Sequence, residues 1–447
     1  MPAIRIVDGG HPDLEGLLRN RSIVRDEETE RVVAEIISDV RNRGDQALLE
    51  SARRFDSPFI DTIVVDKKEV VGARIPDQHL LALVKCRDRI IQFHRKQLDV
   101  LFHRKQLEML SYYGFPPEDG RRWRIDEETN LGQRYLPIDA AGLYVPGGRA
   151  SYPSSVLMLF GPAYAAGVGR AVVTTPARRD GTLDPSVLAA MQVIGVTEAY
   201  KIGGAAAIAA LALGTETIAR VDKIAGPGNR FVNEAKRQLW GQVGLDGYAG
   251  PSEVAVLADE TANPVFAAAD LITQVEHAPD NAGFLICPDR PTLDRILREV
   301  DRQLESAPRS ETIRAALNDE SLAIVARDMD QAVDLLNLIA PEHVTISVRD
   351  GQEVAERVRN AGCVLIGDWT PESVSDYCLG PSHTLPTAGS ARFASPLNVL
   401  DFMKIQSVTS LTKEQLEPLA WIAETLAEIE GFPAHGFGAS VRYPKRS

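Results

Sequence analysis

The run AVVTTP (171–176) is followed by a helical pattern over residues 187–193 and by a second strand-like run, EAYKI (198–202). Short β-branched runs that alternate with helical segments indicate parallel strands joined by crossover helices. The same alternation returns between SEVAVLAD (252–259) and CVLIG (363–367). Because the alternation occupies two long stretches, the sequence predicts an α/β fold with parallel sheets, built as two related domains.

The rhythm of the chain changes near residues 141, 252 and 395. Before residue 141 the apolar residues have helical spacing, as in the segment 27–55, and after residue 395 the pattern is again mainly helical. We therefore expect helical pieces at both ends of the chain, outside the parallel sheets.

The hexapeptide FHRKQL occurs twice in a charged helical stretch, at 93–98 and again at 102–107. At about 100° per residue, the offset turns the second copy to the opposite face of a straight helix, so the copies cannot form one surface. We interpret the repeat as a local duplication on a solvated helix. His94 and His103 are then not ligands.

The composition excludes several classes of partner and location. The 447 residues include 49 Lys and Arg against 62 Asp and Glu, a formal net charge of −13, which disfavours nucleic acid and anionic membranes as partners. No apolar run reaches the roughly 20 residues of a membrane helix, and the first residues lack the pattern of a signal peptide. The four cysteines are scattered without a CxxC pair. We expect a cytoplasmic protein with reduced thiols.

Half of the eight histidines stand in polar, turn-rich settings, which suggests a site assembled from several loops. Gln274 and His277 are three residues apart, so they can share one helix face. Together with a distant Asp and His they would complete a four-coordinate zinc shell. The spacing alone favours a simpler interpretation, a histidine that faces the negative end of a helix dipole.

Glu342 and His343 follow a proline at a helix-to-strand turn, a place where α/β sheets carry reactive groups. Histidine exchanges protons near neutral pH, so this pair is a candidate for acid–base chemistry, with a surface turn as the alternative. Two further pairs each place a carboxylate and an imidazole across a Gly/Pro turn, and each by itself is typical of a cap or a solvated loop. These pairs are Asp376 with His383 and Glu430 with His435.

The dinucleotide fingerprint GxGxxG is absent, but three glycine-rich turns follow strand-like runs: GLYVPGG (142–148), Gly203-Gly204 and GPGN (226–229). The free N–H groups of such turns can hold a phosphate, and the same glycines also serve simply to turn a chain tightly. The residues leave both interpretations open. Ser252 is, on its own, an ordinary residue at the start of a strand.

Seven strings occur in a fixed order: GLYVPGG, GPGN with the following NEAKR, AGPSEV, QVEH, APEH, SDYCLGPSHTLPT and EGFPAH. Over about residues 28–440 the chain thereby resembles the histidinol dehydrogenase family. The resemblance implies an NAD-dependent enzyme that oxidises L-histidinol through bound L-histidinal to L-histidine, the last steps of histidine biosynthesis. It also implies a homodimer in which the two subunits share each site.

The resemblance further implies the roles of individual residues. Glu342 and His343 match the acid–base pair, in which His343 takes the alcohol proton and Glu342 activates water. The implied zinc ligands are Gln274, His277, Asp376 and His435, the last from the partner subunit. The implied substrate contacts are Ser252, Gln274, His277, His343, Asp376, His383, Glu430 and His435.

The contacts to NAD would be Tyr144, residue 206 and Asn229. Here the sequence departs from the family, because Ala206 stands where the family has a Gln. The loss of one side-chain hydrogen bond costs on the order of 0.5–1.5 kcal/mol, so we expect weaker NAD binding with activity retained.

The family fold implies two Rossmann-like domains without the standard fingerprint. The expected division is an N-terminal segment at 1–27, a discontinuous metal-binding domain at 28–141 and 253–395, an NAD-side domain at 142–252, and a C-terminal helical segment at 396–447 that crosses to the partner.

Three other functions stay open. A related zinc/NAD alcohol dehydrogenase could act on another polyol such as a sulfonated diol, although Ser252, Glu430 and His435 favour an imidazole substrate. A zinc hydrolase could use Glu342 as its base, but the strand–glycine–helix turns would then have no purpose. A non-catalytic binding protein that lost its cofactor through Ala206 is disfavoured by the intact zinc and acid–base residues.

Overall fold

The computed structural model describes residues 4–19, 26–101, 122–126, 131–148, 150–247 and 250–442. The chain divides into two compact units, the first formed by 1–95 and 138–402 and the second by 96–137 and 403–447. The second FHRKQL copy, with His103, lies outside the described residues. No helix in the described ranges is long and apolar enough to span a membrane.

The strands follow the β-branched runs of the sequence. In chain order they are β1 (Arg5–Asp8), β2 (Arg122–Asp126), β3 (Leu131–Pro137), β4 (Ala140–Tyr144), β5 (Arg170–Thr175), β6 (Glu198–Lys201), β7 (Lys223–Ala225), β8 (Gly244–Leu245), β9 (Glu253–Ala258), β10 (Ala282–Cys287), β11 (Leu322–Val325), β12 (His343–Ser347), β13 (Cys363–Ile366) and β14 (Met403–Thr409).

Several of the described helices begin at a side-chain cap, such as Asp184, Asn229 or Asn263, that accepts from the first free N–H groups. In chain order they are α1 (Leu14–Arg19), α2 (Glu27–Arg43), α3 (Asp45–Phe55), α4 (Lys67–Gly72), α5 (Asp77–Leu101), α6 (Pro153–Ala166), α7 (Pro185–Ile194), α8 (Gly204–Leu213), α9 (Arg230–Leu239), α10 (Pro264–Val275), α11 (Arg290–Leu304), α12 (Ser310–Asp319), α13 (Met329–Ile339), α14 (Gly351–Arg357), α15 (Glu372–Cys378), α16 (Lys413–Glu430) and α17 (Pro433–Ser440).

The first unit contains two parallel sheets, as the strand–helix alternation predicts. One has six strands in the order β1-β11-β10-β9-β12-β13, and the other has five in the order β6-β5-β4-β7-β8. Helices cover the six-stranded sheet on both faces, and its central strands β9 and β10 are buried along their whole length. The α/β fold class is confirmed.

The N-terminal elements are distributed between the two sheets. Strand β1 pairs in parallel with β11 and extends the six-stranded sheet, so the chain start contributes more than a separate segment. Val33 and Ile37 of α2 and Leu48 of α3 share one apolar cluster with Ile208 of α8 and Val232 of α9. These helices therefore pack on the five-stranded sheet, whereas the sequence placed 28–141 with the other domain. The domain boundaries themselves stay a prediction.

The first FHRKQL copy, which the structure describes, is only partly exposed to solvent, whereas the sequence predicted a solvated helix. Arg95 and Lys96 are exposed, but His94 on the same turn of α5 is fully buried. The Cβ of Phe93 lies 2.7 Å from where a Cβ on Gly380 would stand, so α5 packs closely on the loop after α15.

The second unit combines strands and helices. An antiparallel sheet has the order β14-β3-β2, and α16 packs against α17. The helical C-terminal piece is thus present as predicted, and β14 precedes it as a strand that the sequence pattern did not indicate.

Candidate active site

The predicted catalytic and metal-binding residues of the first unit meet at the amino edge of the six-stranded sheet. His343 begins β12 beside the start of β9, and Glu342 immediately precedes it. Helix α10 follows β9 and ends at this same edge, so Gln274 on its last turn lies beside His343. Ligand sites of α/β sheets usually lie at the carboxyl edge. This site lies at the amino edge because it uses residues at the C-terminal end of a crossover helix.

The Gln274 amide is the centre of the cluster. Its Nε2 donates to His343 Nδ1 at 3.1 Å and to Asp376 Oδ2 at 3.4 Å, and its Oε1 lies 3.1 Å from His277 Nδ1. His343 Nε2 in turn lies 3.1 Å from Asp376 Oδ1. Gln274 is 2% exposed, so these contacts fix a buried amide between two imidazoles and a carboxylate.

The carboxyl of Glu342 is held on the backbone of the neighbouring strand. Its Oε2 accepts from the N–H of Glu253 at 3.0 Å, across 89 positions of sequence. Burial raises the pKa of Glu342 to about 8, against the opposing effects of His343 and of this hydrogen bond. At neutral pH Glu342 therefore carries a proton, and it becomes a base only as the pH rises.

His343 is enclosed by acidic groups. Its burial disfavours the charged ring, but the hydrogen bond to Asp376 and the carboxyls of Glu372 and Glu342 outweigh that effect and raise its pKa. Donation from Gln274 Nε2 to Nδ1, in contrast, favours the neutral ring with its proton on Nε2. Asp376 has a lowered pKa despite its burial, chiefly because of the His343 hydrogen bond, and so is ionised.

Glu372 belongs to this cluster and was not singled out in the sequence. It lies one helical turn before Asp376 on α15, is fully buried, and neither of its carboxyl oxygens has a hydrogen-bond partner. Burial raises its pKa well above the ordinary value. The signal that could have found it is the spacing Glu372-x-x-x-Asp376, which puts both carboxyls on one face of a helix.

Asn281 is a second residue that the sequence did not reveal. Its Nδ2 donates to the carbonyl of Gln274 at 2.7 Å, and its Oδ1 accepts from the N–H of Ser252 at 3.2 Å. Asn281 is 3% exposed. It thereby ties the end of α10 to the residue before β9, and it places Ser252 beside the Gln274 cluster.

His383 links the cluster to the five-stranded sheet. Its Nδ1 is bonded to the carbonyl of Asp376 at 3.0 Å, and its Nε2 lies 3.2 Å from Ser155 Oγ on α6. Burial lowers the pKa of His383, so the ring is neutral at pH 7.

The donors present in the first unit suit a zinc ion. Gln274, His277 and Asp376 offer an amide oxygen, an imidazole and an ionised carboxylate within a few ångströms of one another. His277 is exposed, so the set is open on one side. A second grouping shares Asp376: ligand atoms of His343, Glu372 and Asp376 all lie within 4.8 Å of one another.

The two remaining predicted residues belong to the second unit. Glu430 ends α16 and His435 lies in α17, and both are exposed. His435 makes a tilted ring contact with Phe432, whose centroid is 5.6 Å away.

The predicted cofactor residues lie at the carboxyl edge of the five-stranded sheet, whereas the residues described so far lie at the amino edge of the six-stranded sheet. Tyr144 ends β4, and its hydroxyl accepts from the N–H of Gly204 at 3.2 Å. The adjacent N–H of Gly203 donates to Asp56 at 3.0 Å, and that of Gly226 donates to Asp246 at 2.7 Å. The chain's own side chains therefore already use these three N–H groups.

Asn229 and Ala206 differ in what they can offer a ligand. Asn229 is exposed, and its Oδ1 caps α9 by accepting from Phe231 and Val232, so its Nδ2 takes no part in the cap. Ala206 is 1% exposed within the apolar cluster of the five-stranded sheet. The methyl group of Ala206 supplies no polar contact.

Comparison with known proteins links this geometry to one family. The family model described as histidinol dehydrogenase matches residues 19–443. Curated proteins with that name include one from Gloeobacter violaceus, 44% identical over 92% of this chain and 89% of its own length. Another, from Geobacillus kaustophilus, is 43% identical over 94% and 95%. The crystal structure of histidinol dehydrogenase from Elizabethkingia anophelis superposes with a TM-score of 0.89 at 32% identity, covering 99% of this chain and 98% of that one.

Proposed function

The chain belongs to the histidinol dehydrogenase family, an oxidoreductase family, and we propose on that basis that it oxidises L-histidinol through bound L-histidinal to L-histidine, reducing two NAD+. The observation that carries the proposal is the convergence of Gln274, His277 and Asp376 on His343 and the adjoining Glu342. A metal-type donor set beside an acid–base pair is what alcohol oxidation in a fixed orientation requires.

We assign Gln274, His277 and Asp376 as zinc ligands from one subunit and His435 as the ligand from its partner. When bound, zinc would orient the amine and imidazole of the substrate and add positive charge near the reacting carbon. The exposed His277 and the exposed His435 support this assignment, since each has a free face for a shared ion. Ser252, His383 and Glu430 would contact the substrate.

His343 would accept the proton of the substrate hydroxyl. The proton acceptor is the neutral ring, the form that donation from Gln274 Nε2 to Nδ1 favours. When bound, NAD+ would supply the hydride acceptor for the carbon that bears this hydroxyl. The carboxyls around His343 favour its protonated form, which suits the state reached after proton transfer.

Glu342 would activate the water that adds to the aldehyde before the second hydride transfer. It serves as a base only when ionised, and its pKa of about 8 places that form on the alkaline side. Glu342 is held by the Glu253 N–H, so its direction toward the site is fixed before the substrate arrives.

The NAD contacts are assigned to Tyr144 and Asn229, with residue 206 contributing no polar atom because it is Ala. Both polar residues lie at the carboxyl edge of the five-stranded sheet, where doubly wound folds place nucleotides. The filled N–H groups of Gly203, Gly204 and Gly226 favour a cofactor held through side chains.

A homodimer accounts for the surface of the second unit. Helix α16 exposes Trp421 (62%) and Ile429 (74%), and α17 exposes Phe437 (66%). Aromatic and aliphatic side chains exposed together on neighbouring helices are typical of an interface. A second copy of the chain would cover them and bring His435 to the partner's site. The cytoplasmic location stays a prediction.

The test is NADH formation by purified, zinc-loaded protein with L-histidinol and excess NAD+. Two NADH per histidinol, histidine as product, and loss of activity on chelation are expected. Bound zinc without NADH from histidinol would favour the related alcohol dehydrogenase, and a screen of other alcohols would follow. Zinc-dependent hydrolysis without any NADH would favour the hydrolase.

A further inference from the structure

A buried ion pair lies beneath the glycine turn that follows β7. Lys236 on α9 and Asp246 after β8 have side chains only 1% and 7% exposed, and Nζ lies 2.8 Å from Oδ1. Removing two charges from water is costly unless their remaining hydrogen-bonding groups are also satisfied. What those groups contact therefore indicates what the pair does.

Both partners bind the same residue, Gly226. Lys236 Nζ donates to its carbonyl at 2.5 Å, and Asp246 Oδ2 accepts from its N–H at 2.7 Å. Asp246 Oδ1 also accepts from Gly247 N–H at 2.9 Å. The pair thus holds both polar groups of one backbone position at the point where β7 has ended and α9 has not begun.

Gly226 needs such support because its conformation is unusual. Its φ is +127°, and a Cβ there would stand 2.1 Å from the carbonyl oxygen of Tyr144. The turn therefore lies directly against the end of β4, in a backbone region that only glycine adopts easily. Side-chain hydrogen bonds hold the backbone of Gly226 in place of the strand-to-strand hydrogen bonds of a regular sheet.

The turn joins the two polar residues assigned to the cofactor. Tyr144 packs against Gly226, and Asn229 is the last residue of the turn and the cap of α9. Asn233 Nδ2 supports the same turn by donating to Gly228 O at 3.2 Å. A shift of Gly226 would displace Asn229 Nδ2 relative to the Tyr144 hydroxyl.

We propose that the Lys236–Asp246 pair is a positioning device for NAD, which presets the 226–229 turn without touching the cofactor. Lys236 does not act as a phosphate-binding cation, because its side chain is 1% exposed and its charge is matched by Asp246. Presetting a binding loop raises affinity by removing the cost of ordering it. The proposal rests on the proposed function, since it concerns the same NAD site.

The experiment compares Lys236→Met with the double variant Lys236→Met/Asp246→Leu, which leaves no unpaired buried charge. Lys223→Met is the matched control: it breaks the Lys223–Asp401 pair, 2.9 Å long, at the other end of β7. NAD Kd is measured by calorimetry, with zinc content, KM for histidinol and thermal stability alongside.

We expect the NAD Kd to rise about tenfold in both Lys236 variants, with zinc content and the histidinol KM within about twofold of the wild type. The double variant should recover the stability that the single variant loses, yet keep the weak NAD binding. The Lys223 variant should bind NAD normally.

Recovery of both stability and NAD affinity in the double variant would overturn the proposal, because the pair would then be purely structural. An unchanged NAD Kd in either Lys236 variant would do the same. If the single variant does not fold, the double variant decides. Failure of the proposed function is separate, because the wild type itself would then bind no NAD and form no NADH.

Discussion

The carboxyl edge of the five-stranded sheet and the amino edge of the six-stranded sheet use their polar groups in opposite ways. At the first edge, Asp56, Tyr144 and Asp246 already satisfy the glycine N–H groups. At the second edge, Glu372 keeps two buried oxygens without partners, and His277 has an exposed ring. The glycine N–H groups of the first edge are thus hydrogen-bonded before any ligand binds. The second edge instead keeps polar side-chain groups that a ligand could bind.

That contrast agrees with the division of labour that we propose. A dinucleotide mainly needs a preformed binding surface, because the cofactor itself carries the group that reacts. The oxidation that we propose needs a base, a carboxyl that changes its protonation and ligands for an ion. Burying such groups without hydrogen-bond partners costs free energy, which a bound ligand would recover. The predictions below test this difference from the largest expected effect to the smallest.

His343→Gln should lower kcat by about 10²–10⁴-fold, the usual contribution of a positioned base, because a Gln side chain cannot replace the imidazole as a base. NADH formation measures the rate, and zinc content should be unchanged because His343 is not an assigned ligand. The control is His79→Gln, on an exposed part of α5. A His343 variant with normal kcat would remove His343 from the mechanism.

Glu342→Gln should abolish the alkaline rise of activity. In the wild type, Glu342 is protonated below its pKa of about 8, so the rate should increase as the pH passes through that value. The Gln variant cannot ionise, and its profile should lack this limb. Its kcat above pH 8 should fall by about 10²-fold. We expect the second NADH to be lost first, as L-histidinal escapes before hydration.

A stoichiometry of one NADH per histidinol in the Glu342 variant would place its role in the second step. If the variant keeps both the alkaline limb and two NADH, the assignment of Glu342 as the base is wrong.

Asp56→Asn tests the carboxyl edge of the five-stranded sheet, where Asp56 accepts from the N–H of Gly203. Burial raises the pKa of Asp56 to about 6 in the folded protein, above its ordinary 3.8, so the unfolded chain ionises first as the pH rises. The wild type therefore loses stability between about pH 4 and pH 6, relative to a variant that cannot ionise. Above pH 6 the Asn variant should be more stable by at most about 3 kcal/mol, and below pH 4 the two should coincide.

Urea unfolding at several pH values measures this difference. Asp61→Asn is the control, because that side chain is 98% exposed in the next loop, and it should track the wild type throughout. A pH-independent difference for Asp56→Asn would mean that the carboxyl is not buried in solution.

Ala206→Gln should produce the smallest effect. A restored amide contact, about 0.5–1.5 kcal/mol, would lower the KM for NAD by about twofold to twelvefold. Because Ala206 is 1% exposed, the longer side chain should also cost stability, about 1–3 kcal/mol if the cluster is overpacked. An unchanged KM would show that residue 206 makes no useful contact to the cofactor.

Much of the architecture could be predicted because it depends on local patterns. The runs AVVTTP and SEVAVLAD became β5 and β9, since short runs of β-branched and apolar residues are typical of buried strands. The family motifs marked His343, Gln274 and Asp376, which the structure brings within hydrogen-bond reach of one another. Their roles in catalysis and metal binding stay predictions.

The sequence by itself determined the two parallel sheets, because strand length and helical spacing are local features, and its family motifs marked the candidate site residues. Only the tertiary structure decided which edge holds them, which buried groups join them and which sheet receives α2 and α3. Glu372 was missed because its burial beside His343 depends on the packing of α15. The link between Glu342 and Glu253 spans 89 positions, and no local pattern encodes a contact of that separation.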